Sequence, residues 1–204
     1  MKGAKFLHII LLCFCLTNVY CQEQTSERKE STLDFISYFS FGLNYPFQFG
    51  KTVLAEAHTP NIGISAELGL LSFKKYNFGI GTDMNHYSVE NIELVGDYDT
   101  SKHNSYYAFL SFEQKVLNKL SLSPIIGFGS SELVIKKSGK RRGKQDGTEF
   151  RIGTTVNYNF NKNNAICLKI NYIINNYDVN TVESLEYFYG KSKQIQTAIV
   201  YKFK

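Results

Sequence analysis

From about residue 35 onward, hydrophobic and polar positions alternate with a period of two. That period marks strands with two unlike faces, because successive Cβ atoms point to opposite sides of the pleat. Around residues 62–70, Ile62, Ile64, Ala66, Leu68 and Leu70 share one face, and Gly63, Ser65, Glu67 and Gly69 share the other. The last stretch repeats the pattern, with Ile195, Thr197, Ile199, Tyr201 and Phe203 against Gln194, Gln196, Ala198 and Lys202. The alternation predicts eight strands, at 35–45, 61–71, 76–87, 104–116, 120–133, 148–160, 165–177 and 192–203. Tight turns are expected at 72–75, 117–119 and 161–164, and long polar loops at 46–60, 88–103, 134–147 and 178–191. Long and short connections in strict alternation describe an antiparallel up-and-down barrel with both termini at one end.

Which face points outward decides the class of barrel. A soluble, lipocalin-like barrel would put the apolar face inside, whereas a membrane barrel would put it outside. Fifteen apolar-face positions are Phe or Tyr, among them Phe39, Phe41, Tyr76, Phe128, Tyr158, Tyr201 and Phe203. An eight-stranded barrel is too narrow to hold so many rings. The opposite face is rich in Gly, Ser and Asn rather than in the Lys and Glu of a solvated surface, which suits a cramped, hydrogen-bonded lumen. The sequence is therefore read as all-β, an eight-stranded antiparallel up-and-down transmembrane β-barrel. Tyr76, Tyr158, Phe160, Tyr201 and Phe203 fall at the short-turn end, and Tyr45, Tyr106 and Tyr172 toward the long-loop end, as two interfacial girdles. Pro124 lies inside the fifth strand. It cannot donate to a ladder and should mark a bulge or a local break.

The amino terminus carries a different signal. Lys2 and Lys5 precede an apolar run at 6–16, FLHIILLCFCL, too short to span a membrane as a helix. This predicts a signal peptide over 1–21, cleaved after Cys21, followed by a flexible periplasmic lead-in at 22–33 and the barrel domain at 34–204. A lipoprotein with Cys21 lipidated is the competing reading, and bulky Tyr20 beside the cysteine fits it poorly. Three of the four cysteines leave with the signal, so Cys167 alone remains and neither a disulfide nor a cysteine metal site is expected. The charge falls from +5 to +3, too weak to imply nucleic acid. Mean hydropathy of −0.22 excludes a bundle of membrane helices.

The predicted signal peptide, eight amphipathic strands, four long loops and the ending Ala198-Ile199-Val200-Tyr201-Lys202-Phe203 together resemble small Gram-negative outer-membrane β-barrel proteins of the OmpA/OmpX type. The resemblance spans about residues 34–204. It implies localisation in the cell outer membrane after signal removal. It implies as partners the barrel-insertion machinery, outer-membrane lipids and lipopolysaccharide, and an unidentified surface ligand. Lys204 after Phe203 departs from the usual aromatic ending.

Candidate chemistry is sparse. Away from the strand ends the lumen face carries Glu67, Asp83, Glu113, Glu149, Arg151 and Lys169. Strand direction places Glu67, Glu113 and Lys169 toward the short turns, and Asp83, Glu149 and Arg151 toward the long loops. Buried charges must be paired, so these are expected to form a plug of salt bridges, with Lys169 meeting Glu67, Glu113 or both. A gated ion path, and hence a small porin-like channel, is the alternative. His86 and Ser88 share the lipid-side face of one strand, an arrangement similar to that of outer-membrane lipid A deacylases, although Val89 stands where that family has Asn. The run at 136–144, KKSGKRRGK, is a solvated loop tip or an attractor of lipopolysaccharide phosphates. No catalytic, cofactor-binding or metal-ligating residue is assigned, and no cofactor is expected. The function read from the sequence is a non-enzymatic barrel whose surface loops serve adhesion, ligand contact or membrane integrity.

Overall fold

The computed structural model describes residues 33–204. The expected signal peptide, the Cys21 alternative and all but the last residue of the expected lead-in lie outside the described residues. The elements follow in the order β1 (Leu33–Phe49), α1 (Val53–Ala57), β2 (His58–Pro60), β3 (Gly63–Phe73), β4 (Tyr76–Val89), α2 (Ile92–Val95), β5 (Thr100–Phe112), β6 (Gln114–Leu117), β7 (Leu120–Lys137), β8 (Lys140–Asn159), β9 (Asn164–Tyr177), α3 (Glu183–Gly190) and β10 (Lys191–Phe203). Antiparallel pairing runs β1-β3-β4-β5-β7-β8-β9-β10, and β10 returns to β1. The ring is closed with eight strands, so no backbone edge is left unpaired toward the surroundings. β2 adds to β4 beyond the ring, and β6 continues the line of β5 along β7.

The apolar face is outside. Phe128 is 62% exposed, Ile199 61% and Tyr106 54%, and the same holds around the belt for Leu43, Phe78, Ile80, Leu110, Ile152 and Leu168. A continuous ring of exposed large apolar side chains is incompatible with water and matches lipid. The soluble-barrel alternative is excluded on this ground.

The strands run further than their hydrophobic pattern. The expected loop at 134–147 is a correction: β7 and β8 continue past the apolar belt and meet at a two-residue turn, Ser138-Gly139. Both turn residues have positive φ, 49° and 73°, the geometry that matches strand twist in a two-residue hairpin. Above the belt, outward positions become charged, with Lys102, Lys136, Lys144 and Asp146 on the outer wall, and alternation of hydrophobicity no longer reports the strand. The other three long loops fold too, carrying α1, α2 and α3.

Pro124 behaves as its chemistry demands. It stays in register with Thr154 on β8, but the ladder on its other side is interrupted between Ser111↔Ile125 and Gln114↔Leu122. Glu113 occupies that break.

Candidate functional site

Two regions hold the polar and titratable chemistry: the lumen and the cap over its long-loop end. The cap forms because three loops each contribute a short helix with an apolar side. Val53, Leu54 and Ala57 of α1 pack on the inward-facing ends of two strands, Leu133 and Tyr177. Leu94, Val95, Val179, Phe188 and Tyr189 from the second and fourth loops close around them. Tyr189 donates to the Leu94 carbonyl at 2.9 Å, and Glu90 donates its backbone N–H to Ala57 at 2.9 Å. The loops are thereby tied to one another as well as to the barrel.

His58 fastens the cap to the wall. Its Nδ1 lies 3.1 Å from the Val53 carbonyl and its Nε2 lies 3.0 Å from Ser101 Oγ. A carbonyl can only accept, so Nδ1 carries the proton and Nε2 accepts from the Ser101 hydroxyl. Burial lowers the His58 pKa below the ordinary imidazole value, only partly opposed by that carbonyl. This is the hydrogen bond of an activated serine, but Ser101 is 2% exposed, so an acyl substrate has no approach to it. His86 faces outward, as its place in the alternation implies, and Ser88 Oγ accepts from Asn61 Nδ2 at 3.2 Å.

Below the cap the lumen is filled in layers. Gln48 donates to the Tyr87 hydroxyl at 2.9 Å and receives a hydrogen bond from Ser192 at 3.0 Å. The next layer centres on Arg151, which is fully buried. Its Nε donates to Glu149 Oε1 at 2.7 Å, and its Nη2 to Asp83 Oδ2 at 2.8 Å and to Ser105 Oγ at 3.2 Å. Two carboxylates share one guanidinium through its Nε and Nη2, while Nη1 and Glu149 Oε2 have no hydrogen-bond partner, and the cluster keeps one net negative charge. Asp83 also receives the Ser65 hydroxyl, which in turn accepts from Asn44 at 2.8 Å.

One layer further, Tyr107 lies flat under Arg151 and donates its hydroxyl to Glu67 at 2.8 Å. Glu67 forms an ion pair with Lys169. The expected partner of Lys169 is thus in place, and Glu113 is a different matter. Glu113 lies at the rim, 3.3 Å from Lys204 Nζ, and accepts from Ser121 Oγ at 2.8 Å. Tyr38, Tyr107, Phe109 and Ile125 form an apolar cluster inside the barrel. Asn157 and Cys167 follow, the thiol 3.1 Å from Asn157 Oδ1. A cavity of about 20 Å³ remains in this layer, lined among others by Tyr38, Glu67, Asn157 and Lys169. It has room for about one water molecule.

The inward aromatics are what sequence reasoning missed. Their signal was present as glycine. Gly79 pairs with Phe109 and Gly81 with Tyr107 across β4 and β5. A Cβ at Gly81 would lie 2.4 Å from the Tyr107 ring, and one at Gly79 would lie 2.5 Å from the Phe109 ring. Each ring lies down on a missing side chain, which packs a narrow barrel tightly. Among the described residues, no group of His, Cys, Asp and Glu converges as a metal site.

No protein-family model matches the chain, and no curated protein matches it by sequence. Solved structures do resemble it. Neisserial surface protein A superposes with a TM-score of 0.52 at 13% identity, over 82% of this chain and 96% of that one. Ail, the attachment invasion locus protein of Yersinia pestis, gives 0.48 at 12% identity, over 86% and 99% respectively. At such identities the first of these likenesses speaks for the fold alone. The closed ring of eight antiparallel strands and the first of these superpositions together give the chain the fold of the small outer-membrane β-barrels.

Proposed function

We propose that the protein is a non-enzymatic outer-membrane barrel of a Gram-negative bacterium, exported by a cleaved signal peptide, which works through the folded surface at its long-loop end. One observation carries this reading: the lumen is closed twice. Arg151, Glu149, Asp83 and Tyr107 fill its middle, and the apolar cap built on Leu54, Leu133 and Tyr177 covers its outer end. A barrel that does not conduct has its accessible chemistry outside. Loops that share a core present a fixed contact surface, suited to adhesion or to a surface ligand, because little ordering entropy remains to be lost on binding.

Planar-bilayer recording tests the central point. The purified barrel should insert without unitary current steps. Regular open-channel steps from the wild-type protein would overturn the reading in favour of a small pore. Fractionation tests the location: the mature protein should sediment with outer membranes, resist carbonate extraction and migrate faster on gels unheated than heated.

A further inference from the structure

The net charge of the described residues is not spread over the barrel. The long-loop side carries ten acidic and ten basic residues, and three of each line the lumen. The short-turn rim carries the remainder, Lys74, Lys75, Lys115, Lys119, Lys162 and Lys204, against only Asp34 and Glu113. Glu113 is held by Lys204. The whole excess of positive charge therefore sits on one rim, where each of the three tight turns contributes at least one lysine.

Two features say what kind of anion this rim faces. Lys74 and Lys75 lie against rings of the girdle, at 5.2 Å from Phe73 and 6.0 Å from Phe112. Phe73 and its pairing partner Tyr76 are exposed on the outer wall. The ammonium groups are thus at the level where aromatic rings meet headgroups, with their stems lying on apolar surface. Second, Lys115, Lys119, Lys162 and Lys204 line one cleft of about 430 Å³ together with Asn159 and Phe160. Its wall joins the outward Tyr158–Phe160 pair, whose centroids are 5.4 Å apart. Four ammonium groups and amide donors converge beside a lipid-facing ring, with a single carboxylate among them.

We propose that the short-turn rim is a docking surface for the phosphates of anionic phospholipids in the leaflet that surrounds it, with the Lys115–Lys119–Lys162–Lys204 cleft as its main site. The inference rests on the membrane reading above. Ammonium groups at headgroup depth attract phosphodiesters and select anionic over zwitterionic lipid. The long-loop side has no net excess of positive charge.

The test uses the purified full barrel in mixed micelles with equimolar phosphatidylglycerol and phosphatidylcholine, and counts retained lipids by native mass spectrometry. Wild type should retain phosphatidylglycerol in at least threefold excess. The triple variant Lys115→Gln, Lys119→Gln, Lys162→Gln should lose that excess. A control that removes three charges from the other end, Lys136→Gln, Lys140→Gln, Arg141→Gln, should keep it. Equal retention of both lipids by wild type, or an equal loss in the control, overturns the proposal. So does lysine-dependent binding to purified cell-wall sacculi without lipid selectivity, which would mark an acidic wall polymer as the partner. Vesicle flotation separates the two layers of argument. A barrel that inserts into vesicles of either lipid yet selects neither defeats only the rim proposal, whereas one that floats with neither defeats the membrane reading too.

Discussion

The guanidinium carbon of Arg151 lies 3.3 Å from the ring centroid of Tyr107, and the hydroxyl of that same ring reaches Glu67 at 2.8 Å. One tyrosine therefore joins the Arg151–Asp83–Glu149 cluster to the Glu67–Lys169 pair. A stacked guanidinium in a dry site gains from the ring's electron-rich face as well as from its carboxylates. The two charge clusters form a single network through the centre of the barrel.

Arg151→Met should accordingly destabilise the barrel by about 3–5 kcal/mol, since Asp83 and Glu149 would be left buried and uncompensated. Adding Asp83→Asn should recover part of that loss. Equilibrium unfolding in micelles of the two single variants and the double variant reads the coupling; strictly additive losses would mean that the pair contributes nothing.

Gly81→Ala should cost about 1–3 kcal/mol, because the new methyl meets the Tyr107 ring within 2.4 Å. In the background of Tyr107→Leu the same substitution should be much milder. An equal penalty in both backgrounds would place the strain in the backbone and not on the ring.

On the outer wall, Ile199→Arg should cost roughly 2–4 kcal/mol by reversible unfolding into lipid vesicles, and Phe203→Arg near the interface should cost about 0–1 kcal/mol. Both positions are exposed and outward, so depth alone separates them. A flat profile along this strand would contradict a lipid-facing belt.

The cap should respond to acid. His58 is held neutral in the folded state with its pKa below the imidazole value of about 6.5 that it has when unfolded. The unfolded segment then binds the proton more readily, so stability rises with pH and the contribution of His58 is complete above about pH 6.5. It is lost progressively as pH falls from there through the folded pKa. The protection factor of the α1 amides, their exchange rate compared with the intrinsic rate at the same pH, should fall between neutral and acid pH in the wild type, and His58→Gln should abolish that fall. Protection that is unchanged across this range in the wild type would rule out a fastening role.

A tag inserted after Gly139 should be accessible to antibody on intact cells, and one inserted at Asn163 only after permeabilisation. The reverse pattern would invert the orientation.

The period-two pattern made eight strands and their outward face legible, because lipid and a narrow lumen impose opposite chemistry on alternate residues. It failed where that constraint ends. Lys136 and Lys144 stand on strands in water, where hydrogen bonding to the neighbouring strand and the Ser138-Gly139 turn suffice without an apolar face. The Lys169–Glu67 pair was legible from strand direction, which gives depth. Glu113 was not, because it follows Phe112 at the end of β5, where its backbone N–H bonds to Lys75 of the tight turn at 2.7 Å and its carboxylate lies at the rim within reach of Lys204. His58 and Ser101 stand 43 positions apart and meet only because a loop folds back over the barrel, a relationship that no local spacing encodes.

The shared core of the cap has a consequence for anything that recognises this end of the molecule. Leu54, Leu94, Phe188 and Tyr189 come from three separate connections yet pack as one unit. A binding partner or antibody meets a composite epitope assembled from distant segments, and a synthetic peptide copied from any one connection lacks its shape. The tip of the β7–β8 hairpin is tied to the second connection as well, where Lys137 pairs with Asp97 and Ser138 donates its backbone N–H to Asp99 at 2.6 Å, so it belongs to the same composite surface.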